Sequence, residues 1–138
     1  MKKLYKFGIF ALVILTFTGC NDRFDGDEII NTDAVKIDSV KIAQDTMEVF
    51  TIQTIKTFSN YTANCEGFYG YDYLHTGPSE RRVTSYKFKT SAACGNGITK
   101  ASQINFRPQQ TGTFTFKFWN GKNAAGENRW IEKNIVVR

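Results

Sequence analysis

The stretch TFTFKFW, residues 113–119, alternates without a break: Phe114, Phe116 and Phe118 fall on one face of an extended chain, and Thr113, Thr115, Lys117 and Trp119 fall on the other. Side chains of a β-strand point to opposite faces in turn, so this spacing predicts a strand with one face in an apolar core. Gly112 supplies a turn position just before it, and residues 120–129, polar with two glycines, read as a loop after it. Beyond the loop, residues 130–137 return to a strand pattern that places Ile131, Lys133, Ile135 and Val137 on one face. A single sheet cannot hide three phenylalanines in a row, so a second layer has to cover them.

Working outward, the same period recurs. Residues 82–90 place Thr84, Tyr86, Phe88 and Thr90 on one face and Val83, Ser85, Lys87 and Lys89 on the other. Gly95-Asn96-Gly97 marks a turn, residues 102–106 form a short strand with Ile104 and Phe106 together, and Pro108 ends it. A strand opens at Cys65 and stops at Thr76-Gly77-Pro78-Ser79. Residues 47–58, rich in Thr, Ile, Val and Phe, give the first long strand. Residues 35–42 change phase between Ile37 and Val40, which fits either one bulged strand or two short pairings. About seven strands joined by short turns, with no helix-length apolar face, predict an all-β, immunoglobulin-like antiparallel β-sandwich over residues 34–138. The segments PQQTGTFTFKFW and WIEKNIVV resemble the closing strands of bacterial immunoglobulin-like or fibronectin-like domains. Trp119 follows both Cys65 and Cys94, so the arrangement departs from an antibody domain, in which the tryptophan lies between the cysteines.

The first twenty residues, MKKLYKFGIFALVILTFTGC, are of another kind. Lys2, Lys3 and Lys6 precede an apolar run from Phe7 to Phe17, and small residues close it, the pattern of an export signal. Phe17-Thr18-Gly19-Cys20 resembles the lipobox of bacterial lipoproteins in the relaxed form familiar in the Bacteroidota, although Phe17 replaces the usual small aliphatic residue. The resemblance implies cleavage after residue 19 and lipid attachment at Cys20, hence a chain anchored at a bacterial outer membrane or cell surface. Residues 20–33 then read as the lipidated cysteine followed by a flexible acidic tether: Asp22, Asp25, Asp27, Glu28 and Asp33 stand among few apolar positions. Their placement loosely resembles surface-export signals of the same lipoproteins.

The formal net charge is +5, from 18 basic and 13 acidic residues; without the three leader lysines the balance is 15 to 13. A chain so close to neutral, with no basic block, gives no electrostatic case for nucleic acid as a partner. With Cys20 assigned to lipid, Cys65 and Cys94 remain as a pair in an oxidising compartment, suited to a disulfide. Two free thiols or a metal site are the alternatives, and the second lacks the paired spacing and extra ligands of a Cys/His site.

No constellation for catalysis stands out. His75 is the only histidine and has no obvious partner, the carboxylates show no paired placement, and nucleotide-binding and HExxH motifs are absent. The expectation is a chain that is no enzyme and takes no metal or cofactor. Aromatic residues are the remaining candidates. Tyr69, Tyr71, Tyr73 and His75 share a face of a regular strand, either filling the interior or forming an exposed platform. Lys117 and Trp119, opposite the phenylalanines, make a second candidate, joined by Trp130 if the two closing strands pair. The function read from this is a non-enzymatic, membrane-anchored interaction or structural module for envelope protein or polysaccharide. Carbohydrate binding through these tyrosines and tryptophans is the alternative. Protease inhibition through a loop at residues 76–82 or 120–129 is a third possibility.

Overall fold

Phe116 and Phe118 are completely buried and Phe114 nearly so, and strands built around them account for most of the chain. The structure is a computed structural model that describes residues 26–138. Nine strands occur there: β1 (Ile29–Val35), β2 (Ser39–Ile42), β3 (Thr46–Met47), β4 (Gln53–Tyr61), β5 (Glu66–His75), β6 (Glu80–Thr90), β7 (Ile98–Phe106), β8 (Gly112–Lys122) and β9 (Asn128–Val137). They form two sheets, one of six strands and one of three in the order β2-β4-β7. Phe106 of the small sheet meets Phe114 and Phe116 of the large one edge to face, with ring centroids 5.2 and 4.9 Å apart, so the second layer covers the phenylalanine row.

The large sheet is organised by β6. β5 pairs along one edge of it, antiparallel. The other edge is shared: β8 pairs in parallel with residues 80–83, and β1 pairs antiparallel with residues 85–90. β9 continues the sheet beside β8, and β3 lies parallel to the end of β9. The two-sheet, all-β layering follows the sequence expectation, but the sheet is mixed and has more strands than the seven expected. The parallel pairing has a simple cause. From β6 the chain crosses to the small sheet, runs back as β7, and crosses again to β8, so the two reversals leave β6 and β8 pointing the same way.

Three stretches differ from the periodicity reading. Residues 29–33, assigned by composition to the tether, pair with β6 as part of β1, where Glu28 also bonds to Ser91. Residues 35–42 divide between the sheets as two short pairings rather than one bulged strand. The long strand expected over residues 47–58 is interrupted between β3 and β4, where Phe50 takes a left-handed φ of 66°. Such a conformation costs a non-glycine residue about 1–2 kcal/mol. Here Pro108 O accepts from Phe50 N, and Arg107 Nε donates to Phe50 O.

The interior between the sheets has two unlike halves. Toward the end holding the 107–110 loop it is apolar: Val83, Phe114, Phe116, Ile135 and Val137 pack against Ile55 and Phe106. Toward the other end it is polar and hydrogen-bonded. Glu66 is buried, and its carboxylate takes Lys87 Nζ at 2.7 Å on one oxygen and both the amide and hydroxyl of Thr62 on the other. Lys100 reaches across from the small sheet to the Glu66 carbonyl, and Tyr71 and Thr57 share a 2.6 Å hydrogen bond. Ser59 and Ser85 are buried nearby in the sequence positions that face inward. Among the described residues no buried side-chain nitrogen or oxygen lacks a partner, as buried polar groups require.

At this polar end Cys65 and Cys94 form a disulfide, with Cα atoms 4.8 Å apart. Residue 65 ends the crossing from β4 to β5, and residue 94 lies in the crossing from β6 to β7, so the bond ties together two connections between the sheets.

Candidate functional site

The six residues singled out in the sequence separate into an outer-face cluster, an interior tyrosine, the wall of a cleft and, for Tyr69, open solvent. A bulge between Phe68 and Gly70 breaks the regularity of β5. Tyr69 becomes the extra residue and points to solvent, 60 % exposed. Past the bulge, Tyr71 and Tyr73 face the core. Tyr71 stacks obliquely on Phe68 at 4.6 Å, and burial pushes its hydroxyl above the ordinary tyrosine pKa. The expected row of four is therefore neither a continuous platform nor a wholly interior set.

Lys117, Trp119 and Trp130 do come together, on the outer face of the large sheet. Trp119 and Trp130 are register partners across β8 and β9, and Lys117 faces Glu132 two pairs further along, on the same face. The parallel pairing with β6 brings in Arg82 opposite Lys117 and Glu80 opposite Thr115. The Arg82 guanidinium lies over the Trp130 ring, 5.6 Å from its centroid, and Trp119 Nε1 donates to Asn128. Glu80 accepts from Thr76 and receives Lys117 at 3.1 Å; these partners hold its carboxyl below the ordinary glutamate pKa. Both tryptophans are half-buried, Trp130 with the Arg82 side chain lying over its ring.

Tyr73 belongs to a different place. The open edges of β5 and β7 flank a cleft of about 730 Å³ at the apolar end of the molecule, lined by Tyr73, His75 and Arg81 on one side and by the 104–110 segment on the other. Phe106 and Phe114 form its apolar floor. Arg81, only 8 % exposed, projects inward from β6; one guanidinium nitrogen donates to the carbonyls of Gly77 and Glu80, and the group lies 5.3 Å from the centre of the Phe114 ring. Burial raises the Tyr73 pKa against the influence of Arg81, whose charge and hydrogen bond favour the phenolate. The opposite wall carries Asn105, Arg107, Gln109 and Gln110. Among the described residues no carboxylate comes within ion-pairing distance of Arg81 or Arg107, and none lines the cleft.

Sequence reasoning passed over Arg81, Arg107 and the glutamines. The one available signal was the inward phase of residue 81, which shares a face with Val83. The two loops considered for protease inhibition are short and internally bonded. Thr76 N donates to Glu80 O, and residues 123–127 close a tight turn with four hydrogen bonds. Cys20 lies outside the described residues. Among those described, no helix is long and apolar enough to cross a membrane, and no cluster of three metal-ligating side chains occurs.

These observations define an all-β, two-sheet domain with a disulfide-tied end and a basic, aromatic-floored cleft at the other. No family model, no curated protein and no solved structure matches the chain.

Proposed function

We propose that the protein is a non-enzymatic binding module of the bacterial envelope, anchored by lipid at Cys20 and built as an immunoglobulin-like sandwich with an altered large sheet. The observation that carries this reading is the polarity of the domain. The chain enters at Ile29, paired with Thr90 beside the disulfide-tied crossings, whereas the cleft opens where β5 and β7 end. The ten residues of β5 separate the two ends by roughly 30 Å. A tether leading from a membrane to Ile29 leaves the cleft facing away from it. The leader MKKLYKFGIFALVILTFTGC supports the anchor, and two facing layers with crossings from β4 to β5 and from β6 to β7 support the fold family.

The test is expression of the full chain with its own leader in a bacterial host, followed by membrane fractionation and intact-mass measurement. The expected product begins at Cys20, carries the mass of attached lipid, and leaves the membrane fraction when Cys20→Ala is introduced. A wild-type chain that retains Met1 and carries no lipid would refute the anchor. Carbohydrate binding on the outer face is a second reading, favoured by the cross-strand pairing of Trp119 with Trp130 beside Lys117. It predicts that Trp119→Ala weakens binding to polysaccharide while thermal stability is kept.

A further inference from the structure

We infer that the cleft between β5 and β7 binds an acidic sugar: a carboxylate carried on a polyhydroxylated ring, either free or as a unit of a polymer. This rests on reading the cleft as the ligand-facing end of the domain. Charge is the first argument. Arg81 and Arg107 stand on opposite walls with His75 near them, and no aspartate or glutamate lines the space. A buried arginine is ordinarily paired with a carboxylate, because removing its charge from water is expensive. Arg81 is buried, and its polar neighbours are backbone carbonyls, the face of the Phe114 ring and the Tyr73 hydroxyl, with no carboxylate among them. The donors of its planar fork that the carbonyls and the Tyr73 hydroxyl leave unused suit a carboxylate.

The remaining lining decides what carries that carboxylate. Gln109 and Gln110 present carboxamides, each able both to donate and to accept, on the wall facing Tyr73 and His75. Hydroxyl groups need such two-way partners. The Tyr73 ring and the floor of Phe106 and Phe114 offer flat apolar area, which matches the C–H face of a pyranose ring. At about 730 Å³ the space falls in the ordinary range for small-ligand sites. A fatty acid would leave the carboxamides unpaired, and inorganic phosphate would leave the aromatic floor uncovered.

The test is calorimetric titration of the purified full-length protein with galacturonate, glucuronate and mannuronate oligosaccharides. Their neutral counterparts, acetate and inorganic phosphate are titrated in parallel. The expected result is saturable binding of at least one acidic oligosaccharide, at least tenfold tighter than its neutral counterpart and weakened by added salt. Arg107→Gln and Gln109→Ala should each lower that affinity severalfold without shifting the melting temperature. Arg81→Gln should abolish binding, and if that variant does not fold, the Arg107 and Gln109 variants decide. Binding of neutral and acidic forms alike, binding of acetate or phosphate as tight as that of the sugar, or no binding by the folded protein across the panel would overturn the inference. Each outcome is read in solution, so it stands apart from whether Cys20 carries lipid.

Discussion

Removing the disulfide should lower stability by about 3.6 kcal/mol, and the figure follows from where the bond lies. Cys65 and Cys94 close a loop of 29 residues. In the chain-entropy treatment, a cross-link of that length removes about 12 cal/mol/K from the unfolded ensemble, or about 3.6 kcal/mol at 25 °C. A domain of about 110 residues unfolds with an entropy near 0.23 kcal/mol/K, so the melting temperature should fall by about 15 °C. Little else compensates, because the interior beside the bond consists of hydrogen-bonded groups such as Glu66, Lys87, Thr57 and Tyr71 rather than packed hydrocarbon. A net hydrogen bond contributes only about 1 kcal/mol. The assay compares wild type, the Cys65→Ala/Cys94→Ser variant and thiol-reduced wild type by thermal and urea unfolding. Reduction keeps both sulfurs in place, so it separates loss of the link from loss of side-chain volume at the buried Cys65. The exposed Cys94 gives reductant a way in. A fall of less than about 1 kcal/mol would refute the reasoning, since the unfolded chain would then gain little freedom on losing the link. So would faster amide exchange confined to residues 62–67 and 91–97 with the melting temperature unchanged.

Two further perturbations probe the same end of the sandwich. Gly67→Ala should cost about 1–3 kcal/mol in urea unfolding, because a Cβ there would stand 2.5 Å from the Phe88 ring; adding Phe88→Ala should make the Gly67 change nearly neutral, and strict additivity of the two would contradict the contact. Burial opposes the charge on Glu66, but hydrogen bonds from Lys87 and Thr62 outweigh it and hold the carboxyl below the ordinary value of 4.5. With the folded pKa depressed, its contribution is complete above the unfolded value and is lost as pH falls through the folded one. The stability gap between wild type and Glu66→Gln, followed by melting from pH 7 to pH 3, should therefore shrink on the acidic side, and a gap that widens would mean that the fold raises the Glu66 pKa instead.

Alternation was legible where the interior is hydrocarbon and ambiguous where it is not. Phe114, Phe116 and Phe118 announce both a strand and its buried face, because nothing polar competes for that side of β8. β6 gives the opposite lesson. Its inner face carries Arg81, Val83, Ser85 and Lys87, while Tyr86 and Phe88 point outward. Those aromatics find cover outside the core: Phe88 stands between Thr32 and Gly67, and Tyr86 between Ala34 and Gly70. Glycine, alanine and threonine on the flanking strands leave room for a ring to lie flat, an arrangement that a count of apolar residues along one strand does not contain. The Trp119–Trp130 pairing was accessible from sequence because two strands joined by a short turn fix each other's register.

The cleft was not accessible, for a reason of topology. Its walls come from the ends of β5 and β7 and the start of β6, which meet only because the chain crosses between sheets twice and returns with β8 parallel to β6. That parallel pairing sets Arg81 opposite Phe116, and its guanidinium comes over the Phe114 ring. One row of phenylalanines thus has two functions along its length. Phe116 and Phe118 close the interior, while Phe114, at the end of the row, becomes the floor on which the buried Arg81 rests. A site whose floor is continuous with the core is held in place by the same packing that stabilises the fold, which favours a cleft formed in advance of its ligand.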